Sequence, residues 1–302
     1  MKKIFISLLF FCFLSNSILA QDTLITFFDK DWNEISNENY AVYYRKAFQD
    51  SNKVWTAYDY YAGNKIQMRG TFKSKRLKAK NGHFVYYYEN GNKSSEGKYI
   101  DNERDGKWTS WHENGKKHYI GDYISGKSEG EWTFWHEEGN KKAQGNYINN
   151  EKDGLWKYWY DNGKMDAEEV YKNGIIVTAM GYHETGKLSY KGSYSDDEKD
   201  GLWKYWYEDG QLKREDEYKS GQLISSVGYH KNGNTRYEGS YVKGDRQGEW
   251  KYWNVDGRMT TKGRYEQGIR FGEWIRYFKE GEMKIYYIEG KIVGKQFGGI
   301  AR

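Results

Sequence analysis

The sequence predicts an all-β protein, an elongated single-sheet meander or solenoid of about nine stacked β-hairpin repeats of roughly 24 residues each. Three observations carry this prediction. Glycines recur at Gly91, Gly115, Gly139, Gly163, Gly186, Gly210, Gly233, Gly257 and Gly281, in steps of 24 or 23 residues. A second glycine series (Gly82, Gly106, Gly130, Gly154, Gly201, Gly248 and Gly272) and a tyrosine series (Tyr99, Tyr123, Tyr147, Tyr171, Tyr194, Tyr218, Tyr241 and Tyr265) keep phase with the first. Self-similarity at a fixed period is the signature of a repeat architecture. The composition agrees: aromatic residues make up 19% of the chain and Pro is absent, while 30% is charged. Aromatic rings favour strands and bury large areas, so rings take the place of an aliphatic core.

Taken in order, residues 1–20 read as a signal peptide. Lys2 and Lys3 are followed by an apolar run from Ile4 to Leu14 and a small-residue end at Ala20. The run is too short to span a bilayer and has the order of a secretory signal. Cleavage is expected after Ala20, giving an exported, periplasmic or extracellular protein with no transmembrane segment once the signal is removed. Cys12 is the single cysteine and lies inside that run, so a mature chain has neither disulfide nor thiol chemistry. Residues 21–80 are expected to form an N-terminal cap with a degenerate repeat around Gly63. Residues 81–290 form the repeat array, and 291–302 a C-terminal tail.

Each repeat opens as G-x-W-x-x-W/Y and reaches a turn glycine, as in Gly154-Leu-Trp-Lys-Tyr-Trp-Tyr-Asp-Asn-Gly163. Asn-Gly or Asp-Gly between two strand-like runs predicts a two-residue hairpin turn with positive φ at both positions. Gly115, Gly139, Gly163, Gly210 and Gly257 are the turn positions. Strand alternation places Trp156 and Tyr158 on one face and Trp159 on the other. Trp108, Trp132, Trp156, Trp203, Trp250 and Trp274 are therefore read as structural. Trp111, Trp135, Trp159, Trp206 and Trp253 are read as a candidate binding face. A glycine two residues before the repeat tyrosine (Gly97, Gly121, Gly145, Gly192, Gly239, Gly263) would let a neighbouring indole lie flat on the backbone.

Little in the chain suggests catalysis. His112, His136, His183 and His230 stand three residues before turn glycines, where Tyr160 and Tyr207 also occur. Repeats about 10 Å apart cannot bring two of them within the ~2.1 Å that zinc requires. Glu113, Glu137, Asp161, Glu184 and Glu208 recur beside the turns, yet catalysis needs one environment that separates two pKa values. Lys116, Lys141, Lys164 and Lys187 are expected to pair with these carboxylates across hairpins. No nucleotide-binding or hydrolase motif is present. The sequence therefore predicts no catalytic residue, no cofactor and no metal. A net charge of +5 without a clustered basic face argues against nucleic acid as partner.

Gly-x-Trp, the turn glycine and the Tyr-x-x-Gly of residues 123–126, 171–174, 218–221, 241–244 and 265–268 together resemble MORN repeats. More closely they resemble the bacterial MORN-variant group labelled YwqK-family antitoxin. The resemblance covers about residues 80–290. It implies a meander of hairpins that binds a protein partner or self-associates, with contact to lipid headgroups in some members and toxin neutralisation as a family label. Gly-x-Trp-x-Tyr-Trp is also similar to the aromatic repeats that hold choline or glucans, which implies a glycan or cell-envelope binding module as the alternative.

Overall fold

The computed structural model describes residues 23–299, so the signal-peptide assignment lies outside the described residues. The chain divides into two units, Met1–Glu103 and Arg104–Arg302.

In the first unit, Leu24–Phe28 pairs antiparallel with both Glu34–Ile35 and Tyr43–Gln49. Trp55–Tyr61, Ile66–Phe72, Lys80–Tyr87 and Lys93–Ile100 then add in sequence order. The region expected as a cap is thus built from strands. Its rings stack across strands, Tyr44 on Tyr60 at 4.6 Å between centroids. The buried Asp59 accepts two hydrogen bonds from Arg45, at 2.6 and 2.8 Å. Buried charge is tolerated only when paired and hydrogen-bonded in this way.

In the second unit, successive strands from Glu103–Trp111 to Lys291–Gly299 pair antiparallel with their sequence neighbours. Of the segment 291–302, Lys291–Gly299 forms a full strand beside Gly281–Ile288.

The two kinds of turn are the reverse of the sequence expectation. At Gly115 the loop has three residues: Gly115 N–H donates to His112 O, and His112 N–H donates to Lys116 O. Only the glycine has positive φ, 82° there and 95°, 81°, 89° and 79° at Gly139, Gly163, Gly210 and Gly257. This is a type I turn closed by a glycine bulge. Asn114 stays at negative φ because its Oδ1 accepts the Lys116 N–H, the local bond that draws Asn to turns. The two-residue turns with positive φ at both positions lie at the opposite end of each hairpin. Examples are Ser125–Gly126 (47° and 78°), Asn149–Asn150 (52° and 74°) and Asn173–Gly174 (51° and 79°).

The packing unit is an indole laid on a glycine. At Gly121, Gly145, Gly192, Gly239 and Gly263 an added Cβ would sit well under 3.0 Å from the ring of Trp132, Trp156, Trp203, Trp250 and Trp274 respectively. The backbone makes room by bulging. Asn146 pairs with Asp153 and Gln144 with Lys157, so Gly154, Leu155 and Trp156 stand opposite Gly145 alone. Gly154 takes φ 67°, which a residue with a side chain resists. The indole N–H then donates to a strand carbonyl: Trp156 to Asn146, Trp203 to Ser193, Trp250 to Ser240 and Trp274 to Arg264, at 2.9 to 3.2 Å. Burying an indole of about 200 Å² contributes up to roughly 5 kcal/mol, against about 1 kcal/mol for a glycine in a strand. The ring wins by a wide margin.

A cation covers most of these indoles on the outer side. Arg104, Lys152, Lys199, Arg246 and Arg270 lie 4.1 to 4.7 Å from the ring centroids of Trp108, Trp156, Trp203, Trp250 and Trp274. Such contacts contribute about 0.5–2 kcal/mol each. The repeat tyrosine closes the stack edge-on, as Tyr194 does against Trp203 at 5.0 Å.

Two repeats depart from the pattern, and they depart in every part at once. They are the 23-residue ones, beginning at Ile175 and Gln222. Ala179 and Ser226 stand where the indole would be, and the glycine is replaced by Glu169 and Asp216. The covering cation is replaced by Ile176 and Leu223, and one bulged residue is lost. Without a ring to receive, the glycine is unnecessary. Asp216 is buried, and in place of the stack its carboxylate accepts a hydrogen bond from Ser226 Oγ at 2.6 Å and forms an ion pair with Arg214, whose Nε lies 2.8 Å away.

Ser125 carries a side chain at positive φ where Asn173 serves in the equivalent turn. Ser125→Asn is expected to stabilise the protein by up to about 1 kcal/mol, since asparagine relieves part of the left-handed penalty. The midpoint of urea unfolding measures this, and an unchanged or lowered midpoint would count against the turn assignment.

Candidate functional site

With the structural indoles occupying one face of the sheet, the other face is available for a ligand. Trp111, Trp135, Trp159, Trp206 and Trp253 are half-buried. Trp135, Trp159, Trp206 and Trp253 are tied into the array through their carbonyls. His112, His136, His183 and His230 of the preceding repeat each bring Nε2 within 2.8 to 3.0 Å of them. A carbonyl only accepts, so the proton resides on Nε2. Tyr160 and Tyr207 do the same work through their hydroxyls, donating to Tyr182 O and Tyr229 O. The histidine register is a ladder between repeats. Among the described residues no group of three or more His, Cys, Asp or Glu is placed to hold a metal ion.

The turn lysines also differ from expectation. Lys116, Lys164 and Lys187 donate to the backbone carbonyls of Glu138, Glu184 and Asp209 in the next turn, at 2.6 to 2.9 Å. Backbone carbonyls at the turn point along the array; of the turn carboxylates, Glu138 lies 3.6 Å from Lys116 and Asp161 lies 2.7 Å from His136 Nδ1. Lys141 instead reaches Gln144 and lies 5.6 Å from the Trp159 ring.

Of the five tryptophans read as a binding face, Trp206 lines a concavity. A hollow of about 670 Å³ opens on this face, with Leu155, Val170, Met180, Leu188, Leu202 and Trp206 among its lining. Its origin is the short repeat. The bulges at 154–156 and 201–203 raise Leu155 and Leu202 as two walls, and the less bulged hairpin between them supplies Thr178, Met180, Leu188, Lys191 and Ser193 as floor. Leu155 and Leu202 are each 47% exposed and Val170 is 38% exposed.

These positions are not apolar elsewhere. The register of Leu155 and Leu202 holds Lys107, Glu131, Glu249 and Glu273 in the other long repeats of this unit. The register of Val170 holds Asp122, Asn146, Ser193, Glu217, Ser240 and Arg264. An exposed leucine alone is unremarked, but a cluster of apolar residues in one stretch of a mostly charged face sets that stretch apart from the rest of the array. Sequence reasoning missed it by following what the repeats share. The signal lay in what they do not, at the residue before the structural tryptophan.

Charge on this face is mostly neutralised across strands. Lys157 faces Glu168 at 3.8 Å, Lys204 faces Glu215 at 2.8 Å and Lys251 faces Glu238 at 3.0 Å. Tyr182 and Tyr229 donate to Glu168 and Glu215, at 3.0 and 2.7 Å. The bonds from Lys204 and then Tyr229 hold the Glu215 carboxyl below its usual range. Lys191 and Lys262 are the exceptions: Lys191 stands opposite Met180 and Lys204, and Lys262, in the same register, stands opposite Ile275 and Lys251.

The geometry defines a protein of open antiparallel hairpin repeats, with one face spent on internal stacking and the other differentiated. The family model described as MORN repeat variant matches residues 80–101, 104–125, 128–149, 152–173, 178–196 and 199–220, the shortened repeat included. The chain is a MORN-repeat protein, and MORN repeats are typically modules that bind protein or membrane. No curated protein matches it. Solved structures that resemble it include the one titled "Crystal Structure of TcdB2-TccC3", at 10% identity over 89% of this chain and 18% of that chain, with a TM-score of 0.21. The chain spans less than a fifth of that protein, and a likeness so slight carries nothing about role.

Tyrosines on both faces are held in the neutral form. Burial first, and then the hydrogen bond to Glu169 or Glu215, pushes Tyr171 and Tyr229 up to about 12. An unfolded tyrosine ionises near pH ~10. Their contribution to stability is therefore complete below about pH 10 and is lost as pH rises through about 12. The tyrosinate absorbance that separates the wild type from a Tyr171→Phe/Tyr229→Phe variant is expected to appear only together with loss of the β circular dichroism signal above that range. That difference appearing with the sheet intact would contradict it.

Proposed function

We propose that this protein is an exported, non-enzymatic scaffold that binds a protein partner along the second face, with the hollow between Leu155 and Leu202 as its centre. The observation that carries the reading is the replacement of charged residues by Leu155, Val170 and Leu202 in one stretch of the array. Leu155 faces Val170 across the strands but Leu202 faces Glu217, so cross-strand pairing alone does not account for both leucines. A shallow apolar centre with a polar rim is the anatomy of a protein interface. Export rests on the basic start and apolar run of residues 1–20. Among the described residues no helix is long and apolar enough to cross a membrane.

The test is retention of envelope components on immobilised protein, repeated with Leu155→Glu/Leu202→Glu. These substitutions install the residue already present at Glu131 and Glu249, and because Leu202 faces Glu217 the β circular dichroism signal and urea midpoint of the double variant are measured alongside. The expected result is a discrete protein, retained by the wild type, released by the double variant and rebound after purification. A self-associated form that the double variant dissolves would make the partner a second copy of the chain. Retention of polysaccharide, competed by soluble sugar, would overturn the reading in favour of a glycan module. A lethal toxin as the retained protein would make the scaffold an antitoxin.

A further inference from the structure

The hollow has a chemistry more specific than an apolar floor. Across the second face, oppositely charged residues meet on facing strands: Lys157 with Glu168, Lys204 with Glu215 and Lys251 with Glu238. Opposite charges in these positions stabilise a sheet and like charges destabilise it. Lys191 breaks the rule, as Lys262 does opposite Lys251, and of the two only Lys191 lines the hollow. The cross-strand neighbours of Lys191 are Met180 and Lys204, and Lys204 is already engaged by Glu215 at 2.8 Å. Among the described residues no carboxylate pairs with Lys191. The equivalent position in the other shortened repeat is Glu238, which faces Val227 and bonds Lys251 at 3.0 Å. An acidic residue would therefore satisfy the sheet at 191, and the chain places a lysine there.

That lysine lines the same hollow as Leu155, Met180, Leu202 and Trp206. We propose that the hollow takes an acidic, hydrophobic peptide segment of a protein partner. One or more large apolar side chains would lie between Leu155 and Leu202, and a carboxylate would pair with Lys191. The inference rests on the protein-binding reading above and supplies the class of segment bound. Charge complementarity selects the acidic partner, because of the ionised groups lining the hollow, Lys191, Lys204 and Glu168, the last two are already engaged by Glu215 and Lys157, which leaves Lys191 to be paired. Lys191 is exposed, and a bound segment that covers it would strengthen the pair over a fully solvated one.

The probe is a displayed library of random twelve-residue peptides, selected on the full protein and counter-selected on Leu155→Glu/Leu202→Glu. The expected result is enrichment of peptides with aspartate or glutamate next to leucine, phenylalanine or tryptophan. The winning peptide, labelled and titrated by fluorescence polarisation, should lose about tenfold in affinity on Lys191→Glu, and an Asp→Lys version of it should regain that loss on the same variant. No enrichment over the double variant would overturn the hollow as a peptide site. Enriched peptides without acidic residues, or affinity indifferent to Lys191→Glu, would overturn the role of the lysine. An envelope protein that the double variant retains as well as the wild type does would remove the hollow while leaving the scaffold reading in place.

Discussion

The contact on which this structure depends is an indole lying flat against the backbone of a glycine on the neighbouring strand. Each part of the repeat serves it. The bulge glycine at positive φ turns the first strand so that its tryptophan reaches the preceding hairpin, and the return-strand glycine leaves the space. The indole N–H finds a strand carbonyl, a tyrosine closes one edge and a cation covers the remaining side. A sheet with a single ring layer has no second layer of secondary structure to bury its apolar face. The backbone itself becomes the packing partner. Because each ring belongs to one hairpin and lies on another, hairpins are stabilised by their neighbours, as in other quasi-one-dimensional arrays.

This arrangement explains why the two faces can diverge. The ring face is constrained in every long repeat, since a side chain at Gly192 or Gly239 would collide with Trp203 or Trp250. The second face needs only cross-strand compatibility, which lysine–glutamate pairs supply, and it can change without cost to the stack. The shortened repeats show the stack being dropped as a unit: indole, glycine, cation and a bulged residue leave together at 175–182. The hollow between Leu155 and Leu202 is a direct consequence, because two full bulges then flank a reduced one. Regularity holds the protein together, and the departure from regularity shapes the site.

Much of this was legible in the sequence, for a physical reason. Strand alternation has a period of two and a glycine against a ring is an all-or-none requirement, so Gly145 and Trp156 declare their relation through spacing alone. The turn chemistry was assigned to the wrong ends because Asn-Gly suits both turn types. Which one forms depends on whether asparagine caps the backbone, as Asn114 does for Lys116, or takes positive φ itself, as Asn173 does. The cations over the indoles went unnoticed because Lys152 and Trp156 are four residues apart in a bulged strand, a spacing that an ideal strand would not bring into contact over one ring. The hollow was hidden by the repeat itself. Leu155 and Leu202 occupy a variable register, and Lys191 is conspicuous only once its facing neighbours are known to be Met180 and Lys204.

The central claim is that glycine and indole form one packing unit, and a double-mutant cycle on Gly192 and Trp203 tests it most directly. Gly192→Ala alone should destabilise by about 1–3 kcal/mol, because the new methyl meets the indole. In a Trp203→Ala background the same change should cost almost nothing, giving a coupling of about 1 kcal/mol or more by equilibrium unfolding. If the two substitutions are additive, the glycine is present for some reason other than the ring, and the account of how these hairpins hold together is wrong.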